Sequence, residues 1–424
     1  MIGGIRNYLV FLGRCGRIAF VGDWRYYSWM GFLSLFCLLG LNAYARQFAH
    51  GLVVTGMSDE VSWGVYIANF TFLVGVAAAA VMMVIPVYVY NNEDLHDLVI
   101  FGELLAVAAI IMCLAFVTVD LGRPDRFWHL IPGLGQFNFP ASMLSWDVIV
   151  LNGYLLLNLH ICGYLLYSRY HGRKPARWFY IPFVFVAIVW AVSIHTVTAF
   201  LYVGLGGRPF WNSAIVGPRF LASAFTAGPA LIILALQIIR HVTNYRITDR
   251  ALLTLRSIVQ VSMLINVFLL ANEVFKEFYS GNLHVASSKY LYVGLQGRHA
   301  LVPWIWTAIG FNLLALVLLV LPVSRSLRWL NLTCVLCIIG IWIEKGMGLV
   351  IPGFIPTPLG EMLEYRPSLN ETLVCFGIWA FGLLCYTVFL RMAVPILQGR
   401  LCKANESVAG WTSAVASGEA GMNR

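Results

Sequence analysis

Six ionisable side chains lie inside long apolar runs of this sequence, where a membrane-spanning helix would hold them away from water. An ionisable group in the hydrocarbon core of a bilayer costs at least about 2.5–3.5 kcal/mol on insertion scales, so it normally faces a partner, a cavity or a pathway. Several such groups on different helices indicate a protein that moves protons, ions or a redox-active lipid. The six are Glu103, Asp147, His160, His195, Glu273 and Glu344.

The composition is that of a polytopic membrane protein. Of 424 residues, 60% are hydrophobic and 11% are charged, whereas a soluble domain is about 25% charged. The formal net charge is +9, but the basic residues lie mostly in short stretches between apolar runs. We therefore do not interpret this charge as nucleic-acid binding and expect membrane lipid to surround the chain.

The nine cysteines are scattered through the chain, mostly in apolar segments. Cys334 and Cys337 form a CxxC pair, but this pair lies on a predicted membrane helix without a second pair, which favours packing over redox or metal chemistry. Iron–sulfur clusters need a set of cysteine ligands, and a disulfide framework needs cysteines at regular spacings. We therefore expect no haem, iron–sulfur cluster or other metal site in this chain.

Ten stretches are long enough to cross a bilayer, since a span needs about 20 apolar residues. We predict an all-α polytopic membrane protein, organised as two four-helix bundles plus flanking helices. Residues 27–400 would form the transmembrane domain, residues 1–26 an amphipathic segment on the inner membrane surface, and residues 401–424 a flexible cytoplasmic tail. The predicted spans are 27–45, 63–90, 98–119, 142–168, 178–203, 214–239, 254–279, 300–323, 328–350 and 370–396.

The distribution of basic residues predicts the orientation. Lys and Arg cluster in 168–177 and 240–250, on the same side of the membrane as both termini. The positive-inside rule makes this side the cytoplasm. The acidic loop 90–97 is an exception on that side.

Four loops on the opposite side are long and rich in Gly, Pro and aromatic residues. A loop that only connects helices is shorter, so we expect these loops to pack on a partner or to cap a pocket. One string recurs among them, LYVGLGGR at 201–208 and LYVGLQGR at 291–298, which hints at two related helix bundles. The four loops are 120–142, 204–220, 280–300 and 351–369.

Four segments, in this order, resemble the polysulfide-reductase membrane-subunit family, also called the NrfD/PsrC family. They are WGVYIANFTF (63–72), VDLGRPDRFWHL (119–130), SMLSWDV (142–148) and HTVTAFLYVGLGGRPFWNSAIVGPRFLASAFTAGPA (195–230). The resemblance covers about residues 20–400. The chain is similar to the ten-span branch that includes the membrane subunits of Qrc-type menaquinone reductase and of the sulfite-reduction-linked Dsr complex (DsrP).

This resemblance implies a quinone-binding subunit of a respiratory oxidoreductase in the bacterial inner membrane. Members of the family bind a quinone such as menaquinone near the outer membrane face and carry no haem or cluster of their own. Electrons pass between the quinone and a docked periplasmic ferredoxin-like [4Fe–4S] subunit, with catalytic or multihaem cytochrome c subunits beyond it. In several members, proton uptake from the cytoplasm makes the reaction electrogenic. Menaquinone reduction and menaquinol oxidation both fit this role.

Several polar residues lie at one depth near the predicted outer face. A helix rises 1.5 Å per residue, so Asp147 lies roughly 8 Å and His195 roughly 12 Å below the outer ends of their spans. A quinone head needs donors to its carbonyls and a group that exchanges protons, and His and Asp can supply these. We predict His195 and Asp147 in these roles. The supporting residues at this level are Trp63, Tyr66, Asn69, Asp120 and Arg219.

Structural roles are the alternatives for both residues. Asp147 could pair with Arg123 or Arg219 and pin helices together, and His195 could be a hydrogen-bonded core residue.

A second polar set lies toward the cytoplasm. Glu103 in the third span and His160 in the fourth, with Asn152 between His160 and Asp147, predict a water-assisted half-channel from the cytoplasm to the quinone. Isolated polar groups in helix bundles often only hydrogen-bond across helices, for about 0.6 kcal/mol on average. A structural role for Glu103 is therefore the alternative.

In the second half of the chain we favour structural pairing, with either Glu344 or Lys345 as the partner of Glu273; a second lipid site is the alternative.

The competing interpretation of the whole chain is a secondary ion- or proton-coupled transporter, which would use the same buried charges. Gly and Pro breaks at mid-membrane would favour a transporter, but most Gly and Pro clusters lie in the outer loops.

Overall fold

The structure is a computed structural model that describes residues 2–281 and 285–403. The described residues form helices and connecting loops without a β-strand. Ten helices are long and apolar enough to cross a membrane, which confirms the predicted all-α polytopic fold. Spans 1 to 10 are Trp24–His50, Val65–Tyr88, Val99–Asp120, Met143–Tyr170, Arg177–Val203, Val216–Thr243, Asp249–Ser280, Val302–Val320, Leu327–Gly353 and Leu369–Leu397.

Two of the spans are composite, and short helices lie between the spans. Span 2 consists of Val65–Ala78 and Val81–Tyr88, and span 9 consists of Leu327–Lys345, Met347–Val350 and the 3-10 turn Ile351–Gly353. The remaining helices are Ile2–Ala19, Glu93–His96 and Val285–Tyr292, with 3-10 segments at Leu52–Val54, Pro124–Leu130, Pro209–Trp211 and Pro322–Arg325.

Side-chain caps determine where several spans begin. Apolar composition fixes the middle of a span, whereas the first N–H groups of a helix need acceptors from outside the helix. Asp23, Thr248 and Ser368 supply these acceptors for spans 1, 7 and 10. Span 7 therefore begins at Asp249, earlier than the predicted residue 254, because Thr248 caps it.

Spans 2–5 pack as one bundle of four and spans 6–9 as another. In the first bundle, spans 2 and 4 both contact spans 3 and 5; in the second, spans 6 and 8 both contact spans 7 and 9. The bundles meet where spans 2 and 5 lie against span 6. Spans 1 and 10 pair with each other, and span 10 also packs along span 3. This is the predicted arrangement of two four-helix bundles plus flanking helices.

The loops distinguish the two ends of the molecule. The long-loop face carries the loops 51–64, 121–142, 204–215, 281–301 and 354–368, of which residues 282–284 are not described. The short-loop face carries the loops 20–23, 89–98, 171–176, 244–248 and 321–326. The assignment of the long-loop face to the periplasm stays a prediction.

The two copies of the LYVG string occupy different places in the two bundles. LYVGLGGR ends span 5, the last helix of the first bundle, whereas LYVGLQGR lies between spans 7 and 8 inside the second. Bundles related by an internal repeat would carry the string at the same point. The structure therefore does not support a repeat built on this string.

The N-terminal helix Ile2–Ala19 packs one side against the short-loop face. The rings of Phe11 and Tyr170 have centroids 5.1 Å apart, and Arg14 donates to the Tyr170 hydroxyl at 2.6 Å. Leu9 and Leu12 are exposed. The location of this helix on the inner membrane surface stays a prediction, and most of the predicted tail 401–424 lies outside the described residues.

Spans 1 and 10 touch backbone to backbone. Gly40 faces Gly377, and a Cβ built on Gly40 would lie 2.6 Å from the Gly377 Cα atom. No side-chain rotation can relieve this overlap, because the Cα atom belongs to the main chain. The approach therefore depends on glycine at this crossing, as in other closely packed membrane helices.

We expect Gly40→Ala to lower the melting temperature of the detergent-solubilised protein, because the added methyl group must push span 1 away from span 10. Overpacking of this kind costs about 1–3 kcal/mol. The control is Gly31→Ala in the same span, since a Cβ at Gly31 meets no atom within 4 Å. Equal melting temperatures for the two variants would contradict the close helix contact.

Candidate functional site

The long-loop face carries an open cavity of about 290 Å³ between the ends of spans 1 and 3. Pockets for small molecules begin at about 300 Å³, so this space approaches the size of a ligand site. The lining combines aromatic, aliphatic and polar groups from both spans and from the loops that follow them. The lining residues are Tyr44, Gln47, Phe48, Gly51, Leu52, Leu121, Gly122, Arg123, Pro124 and Asp125.

Gln47 is the buried polar residue of the cavity wall, with an exposed fraction of 3%. Its Nε2 atom donates to the Val119 carbonyl at 2.6 Å, and its Oε1 atom accepts from the Tyr66 hydroxyl at 2.7 Å. Because hydrocarbon supplies no hydrogen-bond partner, these bonds fix span 1 against spans 2 and 3. The sequence-based prediction included Tyr66 but missed Gln47. The available signal was an amide near the end of an apolar span, one of the two amides in that span.

Asp120 ends span 3 directly after Val119. Its Oδ1 atom is buried and has no hydrogen-bond partner among the described residues. An unpaired buried acceptor is costly, so this oxygen marks a place where a proton, a water molecule or a donor would be stabilised. Arg123 does not reach Asp120; it pairs with Asp125 at 2.9 Å on the exposed surface.

Asn69 and Trp63 are held in contacts within the protein. The Asn69 Oδ1 atom accepts from the indole N–H groups of Trp342 at 3.0 Å and Trp379 at 2.9 Å, which ties span 2 to spans 9 and 10. The Trp63 ring packs among three other rings, including that of Trp211 at a centroid distance of 5.7 Å. Both predicted site residues therefore build the walls of the long-loop end and do not line the 290 Å³ cavity.

Asp147 and His195 are buried on the adjacent spans 4 and 5. Thr198 donates to the Asp147 Oδ1 atom at 3.0 Å, and His195 precedes Thr198 by one helical turn. The His195 Nδ1 atom lies 3.1 Å from the Ala191 carbonyl oxygen, while its Nε2 atom is buried without a partner in the described chain. The structure thus brings the two residues to the same side of span 5 without a hydrogen bond between them.

His195 borders a small cavity of about 10 Å³ at the junction of the two bundles. A cavity of about 10–15 Å³ has room for one water molecule, so a quinone ring does not fit there in this conformation. Thr71, Ser223 and Lys345 also line it, whereas Asp147 does not. The unpaired His195 Nε2 atom has space for a water partner.

Arg219 bridges two carboxylates of the second bundle, Glu273 and Glu344. The contact from Arg219 to the Glu344 Oε1 atom is 2.7 Å. The Oε2 atom of Glu344 also accepts from Asn266 at 3.2 Å and from Asn312 at 2.8 Å. One buried cluster therefore connects spans 6, 7, 8 and 9.

The contacts in this cluster decide which residues pair, a question that the sequence left open. Glu273 pairs with Arg219, not with Glu344 or Lys345, so that expectation was wrong. Lys345 stays 4.0 Å from Glu344. The alternative in which Asp147 pairs with an arginine is also wrong, because its carboxylate bonds to a threonine and Arg219 already holds two acids. The predicted site residue Arg219 lies away from the 290 Å³ cavity.

The half-channel predicted on spans 3 and 4 does not form a continuous line. Glu103 is buried, and its Oε2 atom accepts from the Cys162 thiol at 3.2 Å. Asn152 is exposed on the outside of span 4 and donates to Val148 of its own helix. Because Asn152 faces away from the bundle, a path through the interior cannot include it.

His160 lies at the depth of Glu103 but contacts other groups. Its ring packs against Phe183 and Phe179, with centroids 4.4 Å and 5.2 Å away. The His160 Nε2 atom is buried and has no partner within the described ranges. His160 is half-buried, and these contacts do not connect it to Glu103.

The acidic loop after span 2 is held by basic residues of neighbouring elements. Asp97 contacts Arg169 at 2.7 Å, and Asp94 contacts Arg250 at 3.1 Å. A hydrogen bond from His96, together with the charge of Arg169, lowers the pKa of Asp97 to about 2. These pairs account for an acidic loop on an otherwise basic face.

The described residues contain no group of three His, Cys, Asp or Glu side chains arranged to hold a metal ion. All nine cysteines are free thiols. The absence of haem and iron–sulfur clusters stays a prediction.

A comparison with protein families decides the affiliation of the chain. The model of the family described as "Polysulphide reductase, NrfD" matches residues 53–356, which is more than half of the sequence. The chain belongs to this family. The resemblance of the four sequence segments is thereby confirmed.

Curated relatives match most of the chain at low identity. A putative membrane subunit of a dimethyl sulfoxide reductase of Halobacterium salinarum is 26% identical over 403 residues, covering 86% of this chain and 90% of the relative. The integral membrane subunit of an Hdr-like menaquinol oxidoreductase of Archaeoglobus fulgidus is 24% identical over 385 residues, covering 87% and 93%.

A third relative matches over a shorter stretch. The integral membrane subunit of a menaquinone reductase of Nitratidesulfovibrio vulgaris is 26% identical over 133 residues, covering 31% of each chain. The relatives of this NrfD-family chain are thus integral membrane subunits of oxidoreductase complexes, and two of them are named for menaquinone or menaquinol.

We expect Arg219→Gln to reduce the amount of folded protein sharply, because it leaves Glu273 and Glu344 buried without their cation. Removal of one member of a buried ion pair costs about 3–5 kcal/mol. Adding Glu273→Gln and Glu344→Gln to the same chain should restore part of the loss. The control is Arg173→Gln on an exposed loop residue. The measurement is the monodisperse yield and melting temperature in detergent; a wild-type melting temperature for Arg219→Gln would contradict the cluster's role.

Proposed function

We propose that this NrfD-family chain is the quinone-binding integral membrane subunit of a respiratory oxidoreductase complex. In this role it exchanges electrons between menaquinone, or another quinone, and an iron–sulfur subunit docked on the long-loop face. The observation that carries the proposal is the 290 Å³ cavity, which combines an aromatic and aliphatic wall with the buried Gln47 amide. The names of the relatives support it, since two are menaquinone or menaquinol oxidoreductase subunits.

The chemistry of the cavity suits a quinone ring. A quinone carbonyl needs a hydrogen-bond donor, and the Gln47 amide with the Tyr66 hydroxyl behind it can provide one. A flat ring can pack against the aromatic faces of Tyr44 and Phe48, which line the cavity. The cavity is open on one side, and we propose that the quinone enters it from the membrane.

Quinone reduction takes up two electrons and two protons, and quinol oxidation releases them, so the chain needs groups that exchange protons. We assign this role first to Asp120, which has an unpaired Oδ1 atom and directly follows Val119, the carbonyl partner of Gln47. Asp147 and His195 are the deeper pair that we propose for proton exchange with the interior. In this proposal Trp63, Asn69 and Arg219 support the site indirectly, by fixing the loops and spans that surround those of the cavity.

The partner surface adjoins the cavity. Arg123 and Asp125 line the cavity and begin the loop 121–142, whose Phe127 and Trp128 are exposed. Exposed aromatic residues are typical of protein interfaces. We propose that a periplasmic ferredoxin-like [4Fe–4S] subunit docks here, with catalytic or multihaem cytochrome c subunits beyond it. The chain would then lie in the bacterial inner membrane with both termini in the cytoplasm.

The alternative of an ion-coupled transporter gains no support from the geometry. In span 2, Ala79 and Ala80 keep helical dihedral angles, so the helix continues through its interruption. The break of span 9 at Gly346 lies nearer the long-loop end of that span than its other end. Transporter sites are built around unwound segments near the middle of the membrane.

The quinone site predicts that Gln47→Leu lowers the menaquinone bound to the purified complex. Leucine fills similar space but provides no hydrogen bond, and loss of one such bond to a ligand weakens binding by roughly 0.5–1.5 kcal/mol, with a further cost for the unpaired Tyr66 hydroxyl. The measurement is menaquinone extracted per complex, together with the quinone titration of turnover.

Asn42→Leu is the matched control for this experiment, because Asn42 lies on the same span but is exposed. Full menaquinone content and unchanged quinone titration in Gln47→Leu would place the ring elsewhere. His195→Ala and Asp147→Asn then test the deeper pair, in which loss of turnover with retained complex is expected.

Coupled proton uptake predicts a different effect for Glu103→Gln. The substitution keeps the shape of the side chain but removes its titratable proton. Glu103 lies some 25 Å along span 3 from Asp120 at about 1.5 Å per residue, so quinone binding should persist. We expect the membrane potential generated per quinone turned over in liposomes to fall, whereas Asn152→Ala should leave it unchanged. A full potential in the Glu103 variant would assign Glu103 a structural role.

A further inference from the structure

A fully buried carboxylate at the start of span 10, that of Glu371, lies behind the cavity wall. Its Oε2 atom accepts from the backbone N–H groups of Gly56 and Ser368, each at 2.7 Å. Its Oε1 atom accepts from the Tyr365 hydroxyl at 2.7 Å. Three donors from two segments of the chain therefore converge on one side chain, which acts as an acceptor at both oxygens.

Tyr365 and Ser368 extend this network to both ends of the loop 51–64. The Tyr365 hydroxyl accepts from the Val65 N–H at 2.9 Å, where span 2 begins. The Ser368 hydroxyl donates to the Val54 carbonyl at 3.0 Å. Burial, and then the neighbouring Glu371 carboxylate, raises the pKa of Tyr365. The hydroxyl therefore stays protonated and remains a donor to Glu371.

Close packing keeps the loop in this position. A Cβ atom on Gly56 would overlap the Arg366 carbonyl oxygen, and one on Gly64 would overlap the Tyr365 hydroxyl. Both glycines thus lie directly against segment 365–371. The loop is tethered by hydrogen bonds and by contact, at its start, middle and end.

The tethered loop forms part of the cavity wall. Gly51 and Leu52 line the cavity beside Gln47, and the Gly51 N–H ends span 1 by donating to the Gln47 carbonyl at 2.7 Å. Glu371 is not among the lining residues. A shift of the loop would therefore move Leu52 and the end of the helix that carries Gln47. None of the residues that line the cavity would be removed by such a shift.

We propose that Glu371 is a positioning residue of the quinone site: its carboxylate holds the loop 51–64 and thereby sets the width of the cavity that receives the quinone ring. This inference rests on the quinone site proposed above. Loss of the tether loosens the wall against which the ring packs, whereas the electron- and proton-exchanging groups stay in place. Loss of the tether should therefore raise the KM for quinone and leave kcat nearly unchanged, because the ground state and the transition state lose the same binding energy.

The test is Glu371→Gln in the intact complex, assayed with a short-chain quinone analogue. Glutamine keeps the length of the side chain, but its NH₂ group is itself a donor and cannot accept from the N–H and O–H groups that now donate to Glu371. We expect KM to rise about tenfold, because hydrogen bonds to a carboxylate are lost, and kcat to stay within about twofold. The matched control is Glu361→Gln, the same substitution at an exposed residue of the loop 354–368 that precedes span 10, which should leave both parameters unchanged.

Two outcomes would overturn the proposal. One is an assembled Glu371→Gln complex with wild-type KM; the other is a reduced yield in which the remaining complex has wild-type KM, since that describes a role in folding alone. If Glu371→Gln does not assemble, Tyr365→Phe removes a single donor and should raise KM by a smaller factor. An unchanged KM in that variant rejects the positioning role.

Gln47→Leu separates this inference from the function on which it rests. Weakened quinone binding in Gln47→Leu with a normal KM in Glu371→Gln rejects only the role of Glu371. Normal binding in Gln47→Leu rejects the site itself, and with it the positioning of that site by Glu371.

Discussion

Polar groups inside the spans must find their partners within the protein, because the hydrocarbon core of a bilayer offers none. Much of this structure follows from that constraint. Asn69 accepts from two tryptophans and so ties span 2 to spans 9 and 10, while Arg219 with its two acids joins spans of the second bundle. Each polar residue thereby fixes the rotation of its helix, which apolar contacts alone leave loosely determined.

The same constraint distinguishes residues that hold the fold from residues that are free to act. Asn69 has its hydrogen-bonding groups used within the protein, and Arg219 binds two acids, although its Nε atom has no partner among the described residues. Asp120 and His195 each keep one buried polar atom without a partner among the described residues. In a membrane, such atoms are tolerated where a ligand, a water molecule or a proton completes them. An unsatisfied atom is not diagnostic by itself, because the Arg219 Nε and His160 Nε2 atoms also lack partners in the described chain. Asp120 differs because it follows Val119, the carbonyl partner of Gln47 in the cavity wall.

The sequence predicted the positions of the spans well, but it predicted poorly which way the side chains face around each helix. Hydropathy located all ten spans, since each apolar run is long enough to be recognised by itself, and helix caps explain the displaced ends. Rise per residue placed Tyr66 and Asp120 at one level, and Gln47 joins Tyr66 to Val119, the residue before Asp120. It could not say which way Asn152 faces, because the span is apolar on all sides and carries no amphipathic signal. Asn152 is exposed.

For the same reason, the buried role of Gln47 could not be inferred from the apolar run around it. Its importance lies in the Val119 carbonyl and the Tyr66 hydroxyl, which belong to two other spans and meet it only through tertiary packing. The pairing of Glu273 was missed in a similar way: the expected partner was Glu344 or Lys345 of span 9, but the cation that contacts it is Arg219 of span 6.

The pairing of spans 1 and 10 through Gly40 and Gly377 has a consequence for biogenesis. Span 1 emerges first from the ribosome and supplies one wall of the cavity, yet its closest helical neighbour is synthesised last of the ten. The loop that completes the wall is fastened by Glu371, also on span 10. During translation, span 1 must therefore remain without this neighbour until span 10 is inserted. A nascent chain that stops before span 10 would lack both the glycine contact and the tether of the loop 51–64.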